Sequence, residues 1–195
     1  MAGTIEELLQ RWAEIEERLE AEFSARREKF AYHVERRKVV FDREVRERHR
    51  ALRVRLWTFL RNTRPMFVLT APVIYSLIIP FALLDLMVSL YQAICFPVYG
   101  IRKVRRADYI VIDRHHLAYL NSIQKLNCVY CSYCNGLIAY VREIAGRTEQ
   151  YWCPIKHAMR VHGTHGRYPG FVDYGDAEAF NRELPNLRAS LGRED

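Results

Sequence analysis

Apolar residues recur at alternating three- and four-residue steps along the start of the chain, at Ile5, Leu8, Trp12, Ile15 and Leu19. That spacing lines one face of a helix. A second run, Phe30, Val34, Phe41, Val45, Leu52 and Leu56, steps by four and seven and so repeats every eleven residues, which keeps an apolar stripe almost parallel to the helix axis. Residues 4–63 contain neither proline nor glycine and are rich in Glu, Arg, Leu and Ala, so the pattern predicts one long amphipathic helix over 1–64. Thr4 followed by Glu7 has the form of a capping box at its start. An apolar face of this length needs a cover, and the expected cover is a partner protein or a second copy of the helix.

The pattern changes at Met66. Nineteen residues, Met66 to Leu84, pass without a charge; as a helix they span about 28 Å, close to the roughly 30 Å hydrocarbon core of a bilayer. Asp85 interrupts them, and apolar character then resumes through Leu86, Met87, Val88, Leu90, Tyr91, Ile94, Phe96 and Val98. Residues 65–100 therefore read either as a membrane hairpin turning near Pro80 or as a single span ending near Asp85 with an interfacial helix behind it. Arg61 and Arg64 flank the segment on one side and Arg102, Lys103, Arg105 and Arg106 on the other. Positive flanks tend to stay cytoplasmic, which favours the hairpin.

Residues 101–195 are expected to form a separate domain. Asp108–Asp113 reads as a strand, His115–Leu126 and Asn135–Gln150 as helices, and Asp176–Leu191 as a closing helix with Asp176 as its cap. The predicted fold is mainly α with minor β: a long N-terminal amphipathic helix, an apolar membrane segment and a small metal-stabilised C-terminal domain.

Charge and cysteine content sharpen this picture. Thirty Lys and Arg against 23 Asp and Glu give a formal +7, which suits a polyanionic neighbour such as anionic lipid headgroups. The basic block Arg43 to Arg55 lacks stacking aromatics and helix-turn-helix punctuation, so nucleic acid is not the expected partner. Four of the five cysteines crowd between Cys128 and Cys153, which fits metal binding in a reducing compartment better than a disulfide framework.

Cys128, Cys131 and Cys134 are spaced C-x2-C-x2-C, and Cys153 and His157 form C-x3-H. A C-x2-C turn aims two thiolates at one ion, with Gly136 relieving the backbone behind it; Cys153, before Pro154, would cap a helix that carries His157 one turn on. The expected site is structural zinc on Cys128, Cys131, Cys153 and His157, with Cys134 as an alternative ligand. Tyr130, Tyr133 and Trp152 would shield it from water. The competing assignment is an iron–sulfur cluster on Cys128, Cys131, Cys134 and Cys153, or a rubredoxin-like iron. His162 and His165, and the group Asp113, His115 and His116, are weaker candidates because neither has a matched set of further ligands or a nucleophile.

The runs CFPVYGI, DYIVIDR, LAYLN, LNCVYCSYCNGLIAYVREI and RTEQYWCPIKHA resemble a family of uncharacterised bacterial membrane-associated proteins, over about a third of the chain. The resemblance implies metal-ligand-like positions at Cys128, Cys131, Cys153 and His157, no fixed cysteine at Cys134, and no established activity. With the apolar segment, it places the protein at the bacterial inner membrane, the metal domain on the cytoplasmic side.

No catalytic constellation is present, and four protein ligands would leave a metal no open position for chemistry. The expected function is a non-catalytic, membrane-anchored interaction or assembly protein; the alternative is a membrane-associated electron-transfer protein.

Overall fold

The computed structural model describes residues 2–30, 32–35 and 38–193, with the side chains of residues 2–10, 12, 13, 33, 35 and 38 outside that description. It is mainly helical, as the sequence predicts. The Thr4–Glu7 capping box and the first apolar positions, Ile5, Leu8 and Trp12, lie outside the described side chains. The chain divides into two units, residues 1–61 with 113–126, and residues 62–112 with 127–195.

In the first unit, α1 (Ala2–Lys29) is a continuous helix. The expected helix over 1–64 does not continue beyond it. Strands β1 (Tyr32–Glu35) and β2 (Lys38–Phe41) form an antiparallel hairpin in which Tyr32 opposes Phe41. The reason is local: Tyr32, Val34, Val39, Val40 and Phe41 are the β-branched and aromatic types that lose rotamer freedom in a helix and fit a pleated strand. Short helices α2 (Arg43–Ala51) and α3 (Leu56–Asn62) follow. A chain of ring contacts, Tyr32 to Phe41 at 5.5 Å, Phe41 to His49 at 5.3 Å and His49 to Tyr119 at 5.2 Å, joins the hairpin, α2 and the 113–126 segment.

The second unit begins with α4 (Pro65–Ser76) and α5 (Ile78–Tyr99). Together they form a 35-residue apolar helical segment long enough to cross a membrane. The chain does not reverse near Pro80. That residue sits in the first turn of α5, where its missing N–H would have had no intrahelical acceptor. Gly100 ends α5 in the left-handed conformation, φ 68°, and the Ile101 amide reaches back to the Phe96 carbonyl at 2.8 Å, a Schellman-type closure.

After the short helix α6 (Arg106–Tyr109), the expected strand over Asp108–Asp113 is not formed, and Arg114–His116 makes a single 3-10 turn. Helix α7 then runs unbroken from Ser122 to Trp152. It absorbs the expected Asn135–Gln150 helix and replaces the cysteine turn. Asn121 and Gln124 exchange backbone-to-side-chain hydrogen bonds at 3.0 Å each, a reciprocal capping box that fixes where α7 starts. Helix α8 (Ala177–Ser190) closes the unit, with Asp176 accepting the Ala179 amide at 2.8 Å as the predicted cap.

Contacts between α5 and α7 advance in the same direction along both, from Asp85 with Tyr133, through Gln92 with Tyr140, to Tyr99 with Tyr151, so the two helices run parallel. The core lies between them and the returning chain: Phe96, Ile101, Val104, Leu137, Tyr140, Ile144 and Leu191 are buried together. Gly136 lets that chain pass, for a side chain there would meet the Tyr109 carbonyl oxygen and the Ile110 Cα.

Candidate functional site

Helix α7 decides what the cysteines can do together. Cys128 and Cys131 are three residues apart on a helix and share a face. Cys131 is exposed, Cys128 half-buried and Cys134 buried. Cys153 follows the last residue of α7 and continues its hydrogen bonding, its amide donating to the Glu149 carbonyl at 2.7 Å. About 36 Å of helix separates Cys128 from Trp152. A tetrahedral site on one ion needs ligand atoms within about 2.3 Å of it, so Cys128 and Cys131 cannot share an ion with Cys153 and His157 of the same chain in this fold. The iron–sulfur set that includes Cys153 meets the same obstacle. Among the described residues no three His, Cys, Asp or Glu side chains are grouped closely enough to hold a metal ion.

Pro154 explains the misreading of Cys153. A proline suits the first turn of a helix and equally the position just past a helix end, and here it does the second. Residues after it pair with Val172 in an isolated bridge: the Val172 amide donates to the Pro154 carbonyl at 2.9 Å and the Lys156 amide to the Val172 carbonyl at 2.7 Å. His157 stacks on Tyr168, whose hydroxyl accepts the His157 amide at 2.7 Å.

The aromatic residues expected around a metal pack helices instead. Tyr130 donates to the Ile74 carbonyl at 2.8 Å and packs edge-on against Tyr75, and Tyr75 donates to the Asn127 side chain. Tyr133 donates to Asp85 at 3.0 Å. Trp152 packs against Tyr99 and Tyr151.

One polar construction is a ladder between α5, the returning chain and α7. Asp85 accepts from the Arg106 guanidinium at 2.6 and 3.2 Å, from Tyr133, and from Ser89 at 3.4 Å. The carboxylate raises the Arg106 pKa above its ordinary value. Two turns on, buried Gln92 treats Val104 as a strand neighbour would: its Oε1 accepts the Val104 amide at 3.0 Å, and its Nε2 donates to the Val104 carbonyl at 3.4 Å and to the Tyr140 hydroxyl. Tyr91 and Thr148 share a hydroxyl bond at 3.0 Å. Of the predicted basic flank, Arg106 belongs to this ladder, Arg105 pairs loosely with Asp108 at 3.6 Å, and the Arg102 carbonyl accepts from Arg147 at 2.7 Å. Lys103 is exposed, Arg64 precedes α4 as its N-cap and Arg61 lies in the last turn of α3.

A second polar cluster folds the 154–172 segment onto α7. Glu143 accepts from Arg147 and from Arg167, each at 2.8 Å, and His165 meets Glu149 at 2.9 Å. Both His165 nitrogens are engaged, the Arg167 amide donating to Nδ1 at 3.3 Å, while His162 is exposed, so the two do not form a ligand pair. In the other unit, His115 and His116 stack at 3.9 Å in the 3-10 turn.

Sequence reasoning missed Asp85–Arg106, Gln92 and the Asn121–Gln124 box. Only the last has a local signature, an amide-bearing cap followed three residues later by Gln. No family model, curated protein or solved structure matches this chain.

Proposed function

We propose that this chain is a non-catalytic, membrane-anchored assembly protein. The α4–α5 segment anchors it, and α1 supplies the contact with a protein partner or a second copy. One observation carries the reading: in an 18-residue apolar window of the segment Pro65–Tyr99, mean hydropathy 2.2, no residue is buried within the fold. Phe67, Leu69, Val73, Ile79 and Leu83 all stand in the open, and water is a costly neighbour for so continuous an apolar surface. A soluble core helix would have hidden them.

The unbroken passage through Pro80 favours a single crossing that ends near Asp85, with the rest of α5 emerging beside the α6 region. Helix α1 adds the second half of the reading, since Ile15, Leu19 and Phe23 lie at four-residue steps and are exposed. Helix α7 keeps Cys128 and Cys131 apart from Cys153 and His157, so the reading includes neither zinc on those four residues nor iron on Cys128, Cys131, Cys134 and Cys153 of one chain.

Membrane fractionation tests the anchor. The chain should stay in the pellet through alkaline carbonate and leave it only with detergent; release by carbonate would refute anchoring. In detergent, Leu19→Glu with Phe23→Glu should reduce assembly size by sedimentation while membrane retention persists; unchanged size would remove α1 from the assembly role.

A further inference from the structure

We infer that the Asn127–Tyr133 stretch of α7 is a second lipid-contacting element, lying in the bilayer beside α4. The inference rests on the anchor reading and extends it to a part of the chain that composition alone assigns to water.

Three contacts fix the depth of α7 against the apolar helix: the Tyr75 hydroxyl on Asn127, the Tyr130 hydroxyl on the Ile74 carbonyl at 2.8 Å, and the Tyr75–Tyr130 rings at 5.7 Å. Ile74 and Tyr75 lie at the middle of the uncharged run Met66–Leu84. A bilayer that surrounds α4 there also reaches Asn127 to Tyr133. The upper limit is set by the Asp85–Arg106–Tyr133 cluster, where a charged pair and a tyrosine hydroxyl meet, the composition of a membrane–water boundary.

The chemistry of α7 agrees with that depth. Between Lys125 and Arg142 it has no charged residue, although 27% of the whole chain is charged. In hydrocarbon every polar group needs an internal partner, and those on this stretch have them: Asn127 from Tyr75, Tyr130 on Ile74, Tyr133 on Asp85, and Asn135 donating to the Cys131 carbonyl at 2.9 Å. Ser132 is buried. Outward, this stretch presents Leu126, Cys131 and Ile138 beside the bonded Asn127 and Asn135, and a thiol behaves as a small hydrophobe. Val73, Ile74 and Leu77 of the neighbouring apolar segment are exposed at the same depth, so lipid is the occupant this face fits.

The native cysteines report on this directly. Native membranes are treated with a water-soluble maleimide and a chelator, and modification is read by fragment-resolved mass spectrometry; the reagent needs a hydrated thiolate. Cys131 should react at less than about a tenth of the Cys153 rate and become fully reactive in SDS. Purified protein in vesicles carrying a phosphatidylcholine with a photoactivatable acyl chain should then give lipid adducts on the 126–142 fragment. Reaction of Cys131 as fast as Cys153, with the chain still in the carbonate pellet, would overturn the inference and leave the anchor standing. Protection without lipid adducts would mean a protein covers this face, which also overturns it. Release of the chain by carbonate would overturn both.

Discussion

Replacing Gly136 by alanine sets two known effects against each other. Helix propensity alone predicts a gain of about 1 kcal/mol, because glycine in a helix interior costs that much relative to alanine. Packing predicts the reverse. A Cβ at position 136 would lie 2.6 Å from the Tyr109 carbonyl oxygen and 2.9 Å from the Ile110 Cα, whereas carbons pack at about 3.5–4.0 Å. Both obstacles are backbone, so the 109–110 segment must retreat by at least about 0.6 Å, and overpacking of this kind costs about 1–3 kcal/mol. The retreat also pulls on Arg106, three residues before Tyr109. The expected net loss is about 1 kcal/mol, a fall in Tm of roughly 2–4 °C for a chain of this length. Circular dichroism melts in mild detergent read it, with Asn135→Ala as the neighbouring control, expected to stay within about 0.5 kcal/mol because it is exposed. A Gly136→Ala protein that melts at or above the parent would show that the chain does not cross α7 this closely.

Asp85→Asn removes the charge that Arg106 faces. The Asp85 side chain is 14% exposed and the Arg106 side chain 48%, between an exposed pair at about 0–1 kcal/mol and a broken buried one at about 3–5; screening of the guanidinium holds the expected loss to about 1–2 kcal/mol. Unaltered melting and protease resistance would remove the pair from any fold-holding role. Asp176→Ala should cost about 1 kcal/mol through the lost Ala179 amide bond, seen as earlier exchange of the first-turn amides of α8; native protection there would count against the cap. Leu137→Ala, at a fully buried position, should cost about 2–5 kcal/mol, and a loss under about 1 kcal/mol would place Leu137 outside the core. Cys134 is buried, so in mild detergent it should be alkylated far more slowly than Cys153; equal rates would contradict its burial.

The chain's periodicity carried much of the fold because helices repeat locally. Met66–Leu84 and the Asp176-capped closing helix needed nothing distant to specify them. The β1–β2 hairpin was hidden by its length: two four-residue strands with Val and Phe also satisfy a helical stripe, and the eleven-residue repeat passed through Phe41 without noticing the turn. The cysteine spacing misled for a different reason. C-x2-C describes a turn only if the backbone turns, and Asn121–Gln124 starts a helix that continues through all three cysteines. Asp85–Arg106 and Gln92–Val104 join residues 21 and 12 apart; no local pattern encodes such meetings.

The parallel run of α5 and α7 has an electrical consequence. Each helix carries a partial negative charge of about half a unit at its C-terminus, and because Tyr99 and Tyr151 stack, those two ends lie together. Antiparallel neighbours would cancel; these add. Arg188 donates to the Tyr151 carbonyl at 2.8 Å and lies over the Tyr151 ring, and Arg147 donates to the Arg102 carbonyl just past Gly100. Arg188, together with Arg147, which also pairs with Glu143, thus acts as a counter-ion to the backbone itself, and a substitution at Arg188 would leave a negative pole that comes from the carbonyl groups and from no carboxylate.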